Sequence, residues 1–294
     1  MMAMRRAHAC TASRGLTLIE LIVALTVTAI VASFSITLIA APPATLEAGN
    51  RRAILRENAT QAMQQVESSW RDALPNSLRF RNAAGVLAIE YLAVLDSAVL
   101  FRDDPAVPAA QRLTLGVADT QFATLGDFGK LTQPLDSTAL YVSLHHTGLA
   151  GANAWALADV ITAPGTRIQI DASGTPGQAR VQLTPAALFT IAGPSRRVYV
   201  LSGPISYLCH PAAGTLSRYS GYTMAPNQAQ RDSDAELMAA GATRTLLASG
   251  VANCRLAATN SATAGQLVHY LSITFRNGTD QVVENISRIG NNAG

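Results

Sequence analysis

Glu20 is the residue whose type and position call most directly for chemistry. It lies in Arg14-Gly15-Leu16-Thr17-Leu18-Ile19-Glu20, five residues past a glycine, and no charged residue follows it between Leu21 and Leu46. An ionised acid at mid-bilayer costs about 2.5–3.5 kcal/mol on insertion scales, so an acid in such a run is a functional candidate by default. Its place near one end lowers that cost and points to a partner at that end. The rest of the chain offers few competitors. It contains no G-x-S-x-G elbow, no H-E-x-x-H, no C-x-x-C and no phosphate-binding glycine loop. His145 and His146 are adjacent, so on a strand they face opposite sides and cannot grip one metal together. A metal site needs three or four convergent ligands. Asn277-Gly278-Thr279-Asp280 lacks the spaced acids and distal glutamate of a calcium loop and reads as a turn. Asp103-Asp104 before Pro105 reads as a solvated loop pair. No metal, no cofactor and no enzymatic activity are expected.

Glu20 must be carried by a helix. A bilayer span needs about 20 mostly apolar residues, and Leu16 to Ala41 exceeds that length. Thr26, Thr28, Ser33, Ser35 and Thr37 interrupt its apolarity, with hydroxyls able to bond the carbonyls of the preceding turn. Ala24, Ala29 and Ala32 permit close approach of a second helix. Pro42-Pro43 is expected to break or kink the helix, because proline lacks a donor and crowds the preceding turn. Helical spacing then resumes: Leu55, Ala59, Ala62, Met63, Val66, Trp70 and Ala73 form an amphipathic stripe, with Arg51, Arg52, Glu57, Gln61, Gln64 and Arg71 off it. Trp70 and Met63 on that stripe read as core. The segment should stop before Pro75.

Beyond Pro75 short apolar runs alternate with Gly, Pro, Asn and Asp, the texture of strands and turns. Expected strands are Val86–Leu95, Ala98–Phe101, Leu140–His145, Arg167–Ile170, Arg180–Leu183, Arg197–Leu201, Ile205–Cys209, Thr215–Tyr219, Val251–Leu256, Leu267–Phe275 and Gln281–Ile289. Asn277-Gly278 is a hairpin signal, since these residues accept the positive φ of a tight turn. Gly203-Pro204 and Ala213-Gly214 are expected to mark two more turns, and Asp232–Leu247 a short helix. Residues 103–135 and 147–165 read as long connections, and Gly290–Gly294 as a frayed tail. No internal repeat is visible. The fold class is therefore α+β: a long N-terminal hydrophobic helix packed on a β-rich globular head. Residues 1–15 form a leader, 16–41 the spanning helix, 42–74 its amphipathic continuation and 75–294 the head.

Composition narrows the function classes. Arg5, Arg6 and Arg14 account for the whole net charge of +3, and the remaining chain is balanced. Nothing in that balance calls for nucleic acid. Lys130 is the only lysine among 294 residues.

The basic leader, Gly15, an apolar residue, Thr17-Leu18-Ile19-Glu20 and the long apolar helix together resemble a type IV prepilin signal. The resemblance implies that a prepilin peptidase cuts between Gly15 and Leu16 on the cytoplasmic side. The new N-terminus at Leu16 would then be methylated, and Glu20 would become the fifth mature residue. It further implies that Glu20 neutralises the amine of a neighbouring subunit and so sets the stagger of subunit assembly. Leu16 stands where phenylalanine is commoner, which bears on processing efficiency. An ordinary secretory signal has a 7–15-residue apolar core; this run is longer, and Glu20 would be out of place in it. A plain membrane anchor leaves Gly15 and Glu20 unexplained.

The implied topology is a single pass through the bacterial inner membrane with the head in the periplasm, and a place in the pilus after assembly. Cys10 falls in the leader, so Cys209 and Cys254 remain as an even pair in a compartment that permits disulfides. They are expected to bridge; two buried free thiols are the alternative. Segments of the head, Ser202–Cys209, Pro211–Tyr222, Asp72–Ser77 and Leu246–Cys254, resemble the minor pilins of mannose-sensitive haemagglutinin (MSHA) biogenesis, the MshO family. That resemblance implies a minor pilin acting at pilus initiation or at the tip. Its partners would be the prepilin peptidase, other major and minor pilins, the inner membrane and the pilus assembly machinery. A pseudopilin of type II secretion and a membrane-anchored periplasmic binding or enzyme domain remain as alternatives.

Overall fold

The computed structural model describes residues 17–40, 42–102, 104–172, 174–260 and 267–289. The chain divides into two compact units, Met1–Ala53 and Ile54–Gly294. The leader, Ala41, Asp103 and the Gly290–Gly294 tail lie outside the described residues.

In the first unit, helix α1 runs Leu18–Ala40. Over Leu18–Ser35 it is long and apolar enough to cross a membrane, and it is the one such helix among the described residues. Its apolar side chains over Leu18–Ser35 are open on every side: Leu18, Leu21, Leu25, Ile30 and Phe34 are all exposed. A helix apolar all round and unburied needs lipid or other helices as its solvent. Its hydroxyls turn inward onto their own backbone. Thr26 Oγ1 donates to the Val23 carbonyl at 2.9 Å, Ser35 Oγ to Val31 at 2.8 Å, and Thr28 Oγ1 to the Ala24 carbonyl.

Helix α2 spans Pro42–Arg71. The proline pair opens it. In the first turn of a helix the backbone N–H groups have no intrahelical partner, so two residues without full donors cost nothing there. The helix ends at Arg71, earlier than the Pro75 limit, because Ala73 already bridges Ala93 of the sheet. Every member of the stripe from Leu55 to Ala73 is buried, Ala59 and Val66 completely. Arg51, Arg52, Glu57, Gln61, Gln64 and Arg71 are exposed.

The head is built on thirteen strands among the described residues. β2 (Val86–Leu100) and β8 (Arg197–His210) form the antiparallel centre, in register from Leu87 opposite Cys209 to Val99 opposite Arg197. On one side follow β9 (Thr215–Ser220) and β10 (Thr243–Ser249). On the other come β3 (Ala118–Leu125), β7 (Ala179–Leu188), β6 (Arg167–Ala172) and β4 (Leu135–Ser137). β1 (Arg79–Ala83) pairs with β2, and β5 (Tyr141–Ser143) pairs with β8. A second sheet holds β11 (Val251–Asn260), β12 (Leu267–Asn277) and β13 (Asp280–Ile289). Side chains alternate across β2. Leu87, Ile89, Tyr91 and Ala93 pack with the α2 stripe, Tyr207, Cys209 and the inner residues Leu271, Ile273 and Phe275 of the second sheet. Ala88 and Leu92 belong to other clusters, which contain Tyr219 and Trp155 respectively.

Several expectations are corrected. The segments Arg197–Leu201 and Ile205–Cys209 are one strand, so Gly203-Pro204 is no turn. Gly203 pairs with Ala93 and Leu201 with Val94, which leaves Ser202 as the extra residue of a bulge. A bulge is where a central strand can hold a proline, and Gly203 takes φ +102 there. Val86–Leu95 and Ala98–Phe101 likewise merge into β2. The expected connection at 103–135 contains β3 and reaches β4; 147–165 holds a 3-10 turn at Ala154–Ala156 and a single bridge from Ile161 to Ser143. The helix expected over Asp232–Leu247 is the six-residue α3 (Asp234–Ala239), and its second half is β10. The hairpin turn at Ala213-Gly214 forms as expected, with Gly214 at φ +67, and the β12–β13 hairpin forms one residue later than expected: Asn277 pairs with Asp280 as the last residue of β12, and the two turn residues are Gly278, at φ +60, and Thr279.

The chain leaves the large sheet for the small one at Gly250, between β10 and β11. Its φ is +76, its carbonyl accepts from Arg276 N at 2.6 Å, and a Cβ there would lie 2.7 Å from the Arg276 carbonyl oxygen. Gly250→Ala is therefore expected to destabilise the head by about 2–3 kcal/mol, from the left-handed backbone and the clash together. Urea denaturation of the full chain in detergent measures it, and an unchanged midpoint would refute the reading of this corner.

Candidate functional site

Two places in the chain concentrate polar groups in demanding surroundings. The first is the start of α1. Thr17 precedes the first helical residue, and Glu20 is the third residue of the helix. The Glu20 carboxylate reaches back to accept from Thr17 N at 3.4 Å and from Thr17 Oγ1 at 3.4 Å, while Glu20 N faces Thr17 Oγ1 at 3.4 Å. This is a capping box, in which threonine and an acid three residues on satisfy each other's orphan backbone donors. The Glu20 carboxylate therefore rests on its own helix end. Gly15 and Leu16 themselves lie outside the described residues. The acid sits on the fully exposed apolar helix, and its long contacts to Thr17 leave it able to take a stronger partner.

The second place is in the head, and sequence reasoning passed it by. Arg79 opens β1 directly opposite Glu90 of β2. Glu90 is completely buried; Arg79 Nε donates to its Oε2 at 2.7 Å, and Tyr222 Oη donates to its Oε1 at 2.8 Å. Nη1 donates to the Pro226 carbonyl at 2.8 Å and Nη2 to the Ala225 carbonyl at 2.7 Å, with Nη2 also 2.7 Å from Glu90 Oε2. The guanidinium plane lies 3.6 Å over the Trp155 ring, whose Nε1 donates to the Ser77 carbonyl at 3.0 Å. Burial pushes the Glu90 carboxyl up, opposed by Arg79 and Tyr222. The ion pair thus ties the β1–β2 hairpin to the 225–226 segment and to the 3-10 turn carrying Trp155.

His145 and His146 follow β5 and are in no strand, which corrects the alternating placement expected for them. His146 is buried, and its Nδ1 accepts from Ala154 N at 3.0 Å, starting the 3-10 turn at Ala154–Ala156. Burial lowers its pKa to about 4. Between about pH 6.5 and about pH 4 the unfolded chain binds a proton at this residue and the folded chain does not. Stability is therefore expected to fall as pH drops through that window, by about 3 kcal/mol in all. Asparagine can supply an acceptor where Nδ1 stands, so His146→Asn should flatten this part of the stability–pH curve. Equal slopes in the two proteins would refute the assignment.

Cys209 of β8 and Cys254 of β11 form a disulfide with Cα atoms 6.3 Å apart, joining the two sheets. Among the described residues no group of three His, Cys, Asp or Glu side chains converges as metal ligands would. The one sequence signal for the head network was Glu90 itself, an acid inside the apolar run from Val86 to Leu95.

Comparison with known proteins locates the first of these two places. Residues 10–36 match the family described as the prokaryotic N-terminal methylation motif. No curated protein and no solved structure matches the chain. The matched residues include Gly15, Leu16, Thr17, Glu20 and most of α1. They support a pilin-type or pseudopilin-type protein processed by a prepilin peptidase and held by a single apolar N-terminal helix.

Proposed function

We propose that this chain is a structural subunit of a type IV pilus, a minor pilin of the MSHA type, and that it works by assembly and not by catalysis. Cleavage between Gly15 and Leu16 and methylation of the Leu16 amine yield a subunit that waits in the inner membrane on α1, with its head in the periplasm. Extraction from lipid then exchanges one apolar surrounding for another, the helices of neighbouring pilins. Glu20 supplies the one ionic contact in that exchange, to the N-terminal amine of the adjoining subunit. The MSHA assignment, with a role in initiation or at the tip, rests on the likeness of Asp72–Ser77, Ser202–Cys209, Pro211–Tyr222 and Leu246–Cys254 to that family.

The observation that carries the reading is the methylation motif over residues 10–36, together with a helix that has no buried residue over Leu18–Ser35. A pilin and a pseudopilin of type II secretion share this device. Mass analysis of the N-terminus of protein isolated from membranes tests it. A methylated leucine at position 16 is expected, and a mature protein that still begins at Met1 or Met2 would overturn the reading.

A further inference from the structure

We propose that the head carries a binding cleft for a neutral, hydroxyl-rich ligand of the saccharide class, between the Asn76–Arg79 segment, the turn bearing Asn153 and Trp155, and the segment Pro226–Gln228. It rests on the head alone and stands or falls separately from the assembly reading. The cleft is open, with a volume of ≈ 580 Å³, within the range that holds small-molecule ligands.

Its chemistry comes from four carboxamides. Each commits one end to the protein. Asn76 Nδ2 donates to the His146 carbonyl at 3.3 Å. Asn153 Oδ1 accepts from Trp155 N at 3.0 Å, and Asn227 Oδ1 accepts from Ala229 N at 3.0 Å. Gln228 Nε2 donates to the Arg79 and Ala88 carbonyls at 3.4 and 3.3 Å. None of these amides can flip without losing its backbone bond, so the orientation of each is set. The opposite ends remain for the cleft: two amino donors from Asn153 and Asn227, and two carbonyl acceptors from Asn76 and Gln228. Gln228 is 8 % exposed, and it lines the cleft.

Charge is absent from the wall in net terms. Arg79 lines the cleft, but Glu90 neutralises it, and its Nε, Nη1 and Nη2 each donate to Glu90 or to the Pro226 and Ala225 carbonyls. His146, also in the wall, is neutral at pH 7. A phosphate or carboxylate would be served by donors alone and an ammonium by acceptors alone. An apolar ligand would strand four amide ends, at about 1–3 kcal/mol for each polar group left unsatisfied. A hydroxyl donates once and accepts twice, so a run of hydroxyls satisfies both kinds of end. Peptides are taken up by sheet edges or side-chain pockets, whereas these walls are turns and caps that present amides.

The test uses the full chain in detergent with its two tryptophan indoles labelled with nitrogen-15, the Trp70 signal being identified with Trp70→Phe. Maltotriose, cellotriose and triacetylchitotriose are the probes, with sialyllactose and tetraalanine amide as charged and peptide controls. At least one neutral trisaccharide is expected to move the Trp155 signal and leave Trp70 still, with Kd of about 1 mM or tighter. Asn153→Asp with Asn227→Asp keeps both capping oxygens, since Asp caps as well as Asn, and replaces both cleft donors with acceptors. That double variant should melt at the wild-type temperature and bind at least about tenfold more weakly. If the pair together unfolds the head, each substitution is read singly. Silence with all three trisaccharides, equal binding by the variant, equal or tighter binding of sialyllactose, or binding of tetraalanine amide alone would each overturn the proposal.

Discussion

Replacing Glu20 with glutamine is expected to leave cleavage after Gly15 intact and to remove the subunit from fibres. The two substitutions available at this position separate the two things the acid can do. In the capping box Glu20 answers Thr17 at 3.4 Å, and glutamine fills that role as well as glutamate. Alanine loses both the cap and the charge. If the carboxylate pairs with a neighbouring amine inside a bundle of apolar helices, removing it strands a buried positive charge. Breaking a buried pair in this way costs about 3–5 kcal/mol, more than about a hundredfold in an equilibrium between lipid and fibre. Glu20→Gln and Glu20→Ala should then fail alike, with the processed protein accumulating in the membrane. Immunoblots of sheared fibres and membranes, with mass analysis of the N-terminus, read both steps. Wild-type incorporation of the glutamine variant would show that capping alone is the role of the acid, and the proposed ionic contact would fall.

How much of this was legible in the sequence depends on the range of the interaction involved. The stripe from Leu55 to Ala73 was readable because helical spacing is local, and all seven residues are buried. The β12–β13 hairpin was readable because Gly278 supplies the positive φ that a two-residue turn needs, although the turn residues are Gly278-Thr279 and not Asn277-Gly278. Gly203-Pro204 misled for the same reason: its local signature is that of a turn, and only its partners Ala93 and Leu92 across the sheet make it a bulge. β10 escaped because it buries little. In β10 one residue of seven, Ala248, is buried, and its sequence Thr-Arg-Thr-Leu-Leu-Ala-Ser carries no alternation.

The Glu20 motif was legible whole, being contiguous. The cleft was not, because Asn76, Arg79, Asn153, Trp155 and Gln228 come from three distant segments. Their use depends on backbone caps that no spacing rule announces. Only Glu90 broke an apolar pattern in a way that could have prompted a search for its cation.

Replacing Glu90 with alanine is expected to be the most destabilising single change in the head. The substitution leaves the Arg79 guanidinium, 16 % exposed, without its counter-charge, and Tyr222 Oη without the acceptor it holds at 2.8 Å. Loss of one partner from a buried pair costs about 3–5 kcal/mol, much of it the penalty on the charge left behind. The same argument fixes the order of a series. Glu90→Gln keeps an oxygen for Tyr222 and most of the volume, and should cost less than alanine. Arg79→Met with Glu90→Leu removes both charges and restores apolar contacts, and should recover part of the loss, because paired burial is expensive for the ions themselves. Urea denaturation of the full chain in detergent, read by tryptophan fluorescence, gives the free energies. The Trp155 signal should change even in folded variants, since Arg79 is what lies on its ring. Arg79 also holds the Ala225 and Pro226 carbonyls, so the alanine variant should lose one wall of the cleft and, with it, any saccharide response. A Glu90→Ala protein as stable as wild type would refute the reading of Glu90 as the buried counter-charge that Arg79 requires.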